Sequence, residues 1–183
     1  MKAILMSIRS QHLANILNGK KTIELRKKFP SDFRGWVYCY CAKTKPYITQ
    51  QSKSQFTIRE SKDFTNLING KVVCRFWVDK VDIVIRSGMG YCVKGQDRAY
   101  TNQIANQSHL TFDDLQKYFG DKEGKAIHIS KLEIFDEPKE LGEFYYFKKR
   151  LIDCGMDCPP YFDEVKTQVH KAPQSYMYVE VEE

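Results

Sequence analysis

Apolar positions along the chain fall into short blocks, and the spacing inside the blocks changes from one to the next. Residues 2–8 (KAILMSI) form an apolar run with strand character. Leu13, Ile16 and Leu17 then lie at helical spacing behind Ser10, a residue suited to capping a helix. Gly19 stands where a helix C-terminus favours a residue tolerant of positive φ. Across 22–29, Ile23 and Leu25 alternate with Glu24 and Arg26, the pattern of a half-buried strand, and Pro30 ends it. Residues 35–42 (GWVYCYCA) are rich in aromatic and β-branched side chains and predict a further strand. From 43 to 69 the chain is polar with little periodicity, which predicts a long, basic and partly mobile loop.

Residues 71–86 predict a long strand in which Val72, Cys74, Phe76 and Val78 share a face. The apolar register then moves to Val81, Ile83 and Ile85, so a bulge is expected near Asp79 and Lys80. The stretch that follows reads as loop. Thr111 is placed to cap a helix over 112–119, with Asp113 and Asp114 in its first turn and Gly120 behind it. Residues 125–135 repeat the phase change, Ile127 and Ile129 giving way to Leu132 and Ile134. Residues 138–173 look irregular, and 175–181 supply a last strand. Neither repeat nor linker divides the chain, so one domain over 1–183 is expected. The class is α+β with β dominant: a small mixed β-barrel of about six strands, with two short helices on its surface.

A chain of 183 residues can bury a core without disulfides or metals. Its net charge of +6 is concentrated early: Lys20, Lys21, Arg26, Lys27 and Lys28 stand against Glu24 alone, and Lys43, Lys45, Lys53, Arg59 and Lys62 against Glu60. Such clusters favour polyanions at low salt. No apolar stretch approaches the roughly 20 residues that cross a bilayer, and the N-terminus lacks the pattern of a signal peptide. A cytoplasmic protein with reduced thiols is the expectation. Cys39, Cys41 and Cys74 lie in strand-like runs, where Cys behaves as a small hydrophobe. Cys154 and Cys158 form a lone CxxxC with no second Cys pair nearby, so neither a metal nor another cofactor is expected. The sequence contains no GxxxxGK(S/T), GxGxxG, HExxH or GxSxG, which disfavours P-loop hydrolases, Rossmann dehydrogenases, zincins and α/β-hydrolases.

Between the first helix and the second strand, Gly19-x-Lys21-x-x-Glu24-x-Arg26 resembles the GxKxxExR motif of ASCH domains. Residues 172–180 (APQSYMYVE) are similar to the closing strand of bacterial and phage ASCH-like proteins, and KAIHISKLEIFDEPKEL resembles the strand before it. The resemblance spans nearly the whole chain. It implies a PUA-like barrel, whose relatives recognise RNA or modified bases. Some small bacterial members are enzymes, one an amidohydrolase of an acetylated cytidine and another a ribonuclease. The Lys, Thr and Glu of that amidohydrolase are not preserved here. Lys21 matches the Lys, but Glu24 stands where Thr is expected, and Ser108 or His109 near where Glu is expected.

Lys21 is the first candidate site residue. It can pair with phosphate, or act as base or electrostatic catalyst where burial lowers its pKa. The structural alternative is a solvated Lys balancing a helix dipole. Lys20 adds charge beside it. Glu24 and Arg26 lie about 7 Å apart along one strand face. There Glu24 can hold a substrate amide or serve as general base while Arg26 grips phosphate. A surface ion pair of little energetic value is the alternative. Ser175 matches a Ser of the closing motif and either touches a ligand or simply starts a strand. Tyr47, interleaved with Lys43, Lys45 and Lys53, suits single-stranded RNA, which is bound by stacking and phosphate contacts. His12 faces the same pocket or stays on the surface. The expected function is an RNA- or nucleotide-binding module whose partner is single-stranded RNA or a modified nucleotide or nucleoside. The alternative is an enzyme in the same cleft, a metal-independent ribonuclease or a hydrolase of a modified nucleoside, with Lys21 and Glu24 catalytic.

Overall fold

The computed structural model describes residues 1–52, 54–88, 90–152 and 161–181. At the centre of its main sheet, β1 (Lys2–Ile8) and β3 (Gly35–Cys41) run parallel, connected through α1 (Ser10–Leu17) and β2 (Ile23–Arg26). The sheet order is β10 (Tyr161–Gln168), β9 (Tyr145–Ile152), β11 (Tyr176–Glu180), β1, β3, β6 (Val72–Ser87), β8 (Gly124–Lys139) and β2, with β7 (Gly90–Val93) on the end of β6. The remaining ladders are antiparallel.

The middle strands are apolar on both faces, as strands covered from both sides must be. Ile4, Met6, Ile8, Val37, Cys39 and Cys41 face a core shared with Leu13, Ile16 and Leu17 of α1. Leu5, Trp36, Tyr38 and Tyr40 face a second core that includes Phe144 and Val169. A third core lies where Ile23, Leu25, Val84 and Ala126 meet Ile104 of α2 (Arg98–Ser108) and Leu115 and Phe119 of α3 (Phe112–Phe119). The buried thiols are apolar filling as expected, and burial pushes the Cys41 thiol up to about 12. Cys154 and Cys158 lie outside the described residues.

The predicted bulge is present. Val78 pairs with Ile129 and Val81 with Ile127, so Asp79 and Lys80 stand against His128 alone. On β8 the extra residue is Ser130, since Trp77 pairs with Lys131 and Val78 with Ile129. Beyond the bulge the more buried side chains are Asp82 and Val84, while Val81, Ile83 and Ile85 are half-buried. Thr111 caps α3 as expected and forms a capping box with Asp114.

The α+β, β-dominant class holds, but the barrel is not closed. Among the described residues no ladder joins β2 to β1 or to β10, and the elements number eleven strands and three α-helices rather than six and two. The 43–69 segment is not plain loop: it carries the hairpin β4 (Tyr47–Ser52) and β5 (Gln55–Arg59). Ile48 anchors that hairpin in the α1 core, and its N–H donates to Asn69 Oδ1 at 2.8 Å. The stretch after β6 holds β7 and α2, and residues 138–173 hold β9 and β10. Ser10 is the first helical residue rather than the cap, and its buried hydroxyl donates to the Thr44 carbonyl at 3.1 Å. No helix among the described residues is long and apolar enough to cross a membrane.

Candidate functional site

Where the sheet fails to close, side chains bridge β2 and β1. Arg26 Nη2 donates to the Ser7 carbonyl at 2.7 Å. Ser7 in turn ties down the closing segment, its Oγ donating to the Pro173 carbonyl at 2.6 Å and its N–H to the Ser175 carbonyl at 3.0 Å. Over this seam opens a cleft of about 940 Å³, with Leu110 and three residues of α3 also among its lining.

The floor is made by the turn after α1. Gly19 takes φ +69°, and the N–H groups of Lys20 and Lys21 both donate to the Asn15 carbonyl, at 2.9 and 3.0 Å. This turn leaves Lys20 exposed and Lys21 only 2% exposed. Lys21 Nζ donates to the Ser108 carbonyl at 2.6 Å, in the last turn of α2, and lies 3.4 Å from Glu24 Oε2. Lys21 is thus not the solvated Lys that the alternative reading placed at the α1 dipole: it is buried, and the carbonyl it meets belongs to α2. Arg26 Nε lies 3.0 Å from Glu24 Oε1, so one buried carboxylate sits between two cations. These are ion-pair distances without hydrogen-bond alignment: neither Glu24 Oε2 nor Arg26 Nε completes a hydrogen bond within the chain. Burial pulls the Lys21 pKa below its ordinary value, opposed by the Glu24 carboxylate. His12, half-buried on the same lining, is also lowered by burial, against the pull of Glu24 and with the cations around it. Its imidazole is neutral at pH 7.

Above this floor stand Arg9, Lys27, Lys28 and Lys117, with the Lys27 ammonium 5.2 Å over the Tyr118 ring. The lining thus holds six cations (Arg9, Lys21, Arg26, Lys27, Lys28 and Lys117) against Glu24 and Asp114. Of the candidate residues singled out in the sequence, His12, Lys21, Glu24, Arg26 and Ser175 converge on the cleft. Lys20 and Tyr47 do not line it, although Ala42 and Thr44, just before β4, do. Lys53 lies outside the described residues. Ser108 contributes its carbonyl rather than its hydroxyl, which donates to Ala105 O. Arg9, the residue before α1, escaped the sequence reading, as did Lys117 and Tyr118, because nothing local places α3 opposite the motif.

No family model and no curated protein matches the sequence. Among solved structures, the chain is similar to ASCH from Zymomonas mobilis, with a TM-score of 0.56 at 13% identity over 97% of this chain and 87% of that one. The chain has the ASCH fold. A serine-to-alanine variant of the Zymomonas protein matches with a TM-score of 0.53 at 13% identity, covering 97% of this chain and 88% of that one. A tyrosine-to-phenylalanine variant gives 0.50 at 14%, with 77% of each chain covered. At this identity the likeness carries the fold, and the ligand must be argued from the cleft.

Proposed function

We propose that this ASCH-fold chain acts as one domain and binds single-stranded RNA in the cleft at the open seam. The observation that carries the reading is the buried Lys21–Glu24–Arg26 floor, whose carboxylate oxygen Oε2 lacks a hydrogen bond, beneath four rim cations. Rim cations suit phosphates, and Tyr118 offers a ring on which a base can stack. Glu24 is an acceptor at the floor, suited to the exocyclic amine of a base. Unpaired bases can be splayed into such a cleft, whereas bases within a helix cannot.

The test is a titration of end-labelled single-stranded RNA with EDTA present, at several salt concentrations. Lys21→Ala alone is a poor probe, because Lys21 also holds α2. The triple variant K27A/K28A/K117A leaves the floor intact. It should bind more weakly with an unchanged melting temperature, and the salt slope should fall by about 0.7 for every phosphate that is no longer neutralised. Unchanged affinity and slope would remove the cleft from RNA recognition.

A second reading, hydrolysis of RNA or of a modified nucleoside in the same cleft, is favoured by two groups with lowered pKa values on one lining, His12 and Lys21. Denaturing gels of the same titration separate binding from RNA cleavage, and product analysis with modified nucleosides tests the other hydrolysis. Shortened RNA produced by the wild type, and not by Glu24→Gln, would indicate catalysis.

A further inference from the structure

β9 and β10 form an arm. Their ladder runs from Tyr145↔Gln168 to Ile152↔Tyr161, yet among the described residues Tyr145↔Glu180 is the one ladder pair that joins the arm to the rest of the sheet. Residues 147–151 and 162–166 are all exposed, with Phe147 at 45%, Leu151 at 55% and Phe162 at 69%. A two-stranded ribbon is marginal in water, and an exposed edge strand presents unpaired N–H and C=O groups on which another strand can pair. Among the described residues the outer edge of β10 pairs with no strand.

Charge identifies what fits that edge. Two copies joined antiparallel by a two-fold axis through β10 set residues of the same face opposite one another, so the axis falls on a residue. An axis at Asp163 or Glu164 sets a carboxylate against its own copy, and one at Lys166 does the same with an ammonium. Like charges directly opposite are destabilising. An axis at Val165 brings apolar to apolar, Asp163 to the partner's Thr167, and Glu164 to the partner's Lys166, the last pair made twice by symmetry. We propose that the protein dimerises through antiparallel pairing of β10 with β10 of a second copy, centred on Val165. The two arms then make one four-stranded ribbon.

The test is complementation between charge variants, read as molar mass by sedimentation or light scattering. Wild type should have the mass of two chains. K166E sets two carboxylates together at each end of the interface and should be monomeric. K149E/E164K sets two ammoniums together there and should also be monomeric. Its K149E change keeps opposite charges within one ribbon, where position 149 faces 164. Mixed in equal amounts, the two variants should regain the dimer mass, because every opposed pair is then complementary. Val165→Asp is a further check: Asp gains Lys148 as its neighbour within the ribbon but meets its own copy across the axis, so it should be folded and monomeric. Circular dichroism confirms folding in each case. The proposal is overturned by a monomeric wild type, by variants that stay dimeric, or by folded variants whose mixture stays monomeric. A monomeric wild type whose RNA affinity falls in K148E/K149E/R150E would assign the arm to nucleic acid instead.

Discussion

Lys21 illustrates how one buried cation can tie distant parts of a fold together. Its ammonium satisfies the Ser108 carbonyl and shares Glu24 with Arg26. Deleting one member of a buried charge cluster leaves the others uncompensated, so Lys21→Ala should cost roughly 3–5 kcal/mol in a denaturant titration. The sign of its pH linkage follows from a folded pKa below the unfolded value of 10.5. Between the two values the unfolded chain binds more protons, so the contribution of Lys21 to stability rises with pH and is complete above 10.5. His12 behaves alike at lower pH. Its contribution is complete above 6.5 and is lost as pH falls through the lower folded value. Thermal melts of His12→Gln should therefore show a shallower loss of stability than wild type on acidification below 6.5. A variant as pH-sensitive as wild type would show that His12 does not titrate in this way.

Among the helices, α2 is the one that local pattern hides and tertiary contacts secure. Ile104 and Ser108 are its buried residues, too few for an apolar stripe, and its cap is Asp97, whose side chain accepts from Tyr100 N–H at 2.7 Å. Its start is tied to β6 and its end to the turn before β2. Near the start, Tyr100 donates to Asp82 Oδ2 at 2.7 Å, an oxygen also 2.8 Å from His128 Nε2, while Lys80 Nζ donates to the Tyr100 hydroxyl at 2.6 Å. At the finish, the Ser108 carbonyl receives Lys21. Burial would raise the Asp82 carboxyl, but the bonds from Tyr100, His128 and Lys80 outweigh it and hold Asp82 below the usual carboxylate range. That stability is present above the unfolded value of 3.8 and is lost as pH falls through the folded one. Tyr100→Phe removes a bond to a charged acceptor and should cost roughly 1.5–3 kcal/mol in urea. The cap of α3 is more local, and Thr111→Ala should cost about 1 kcal/mol in the same measurement.

At the scale of the molecule, paired arms make stability depend on mass action, so the apparent melting temperature should climb with protein concentration; a constant value would argue for a monomer. The sequence alone determined β1, β3 and β6 near their true limits, the start of β8, the bulge at Asp79 and Lys80 and the capped α3. Each of these is written in neighbouring residues, through alternation, a phase change or a capping box. The motif brought Lys21, Glu24 and Arg26 forward as candidates, but only the fold buries them together. Tertiary structure decided the rest. The exposed arm strands have no buried face to impose a period, and β4 is held by Ile48 and by Asn69, which lies beyond its hairpin. Among the described residues the sheet stays open, and at the seam the Arg26 guanidinium reaches the Ser7 carbonyl where no ladder joins β2 to β1. The second wall of the cleft depends on pairings such as Lys21 with Ser108, 87 residues apart, and no local spacing encodes a partner at that distance.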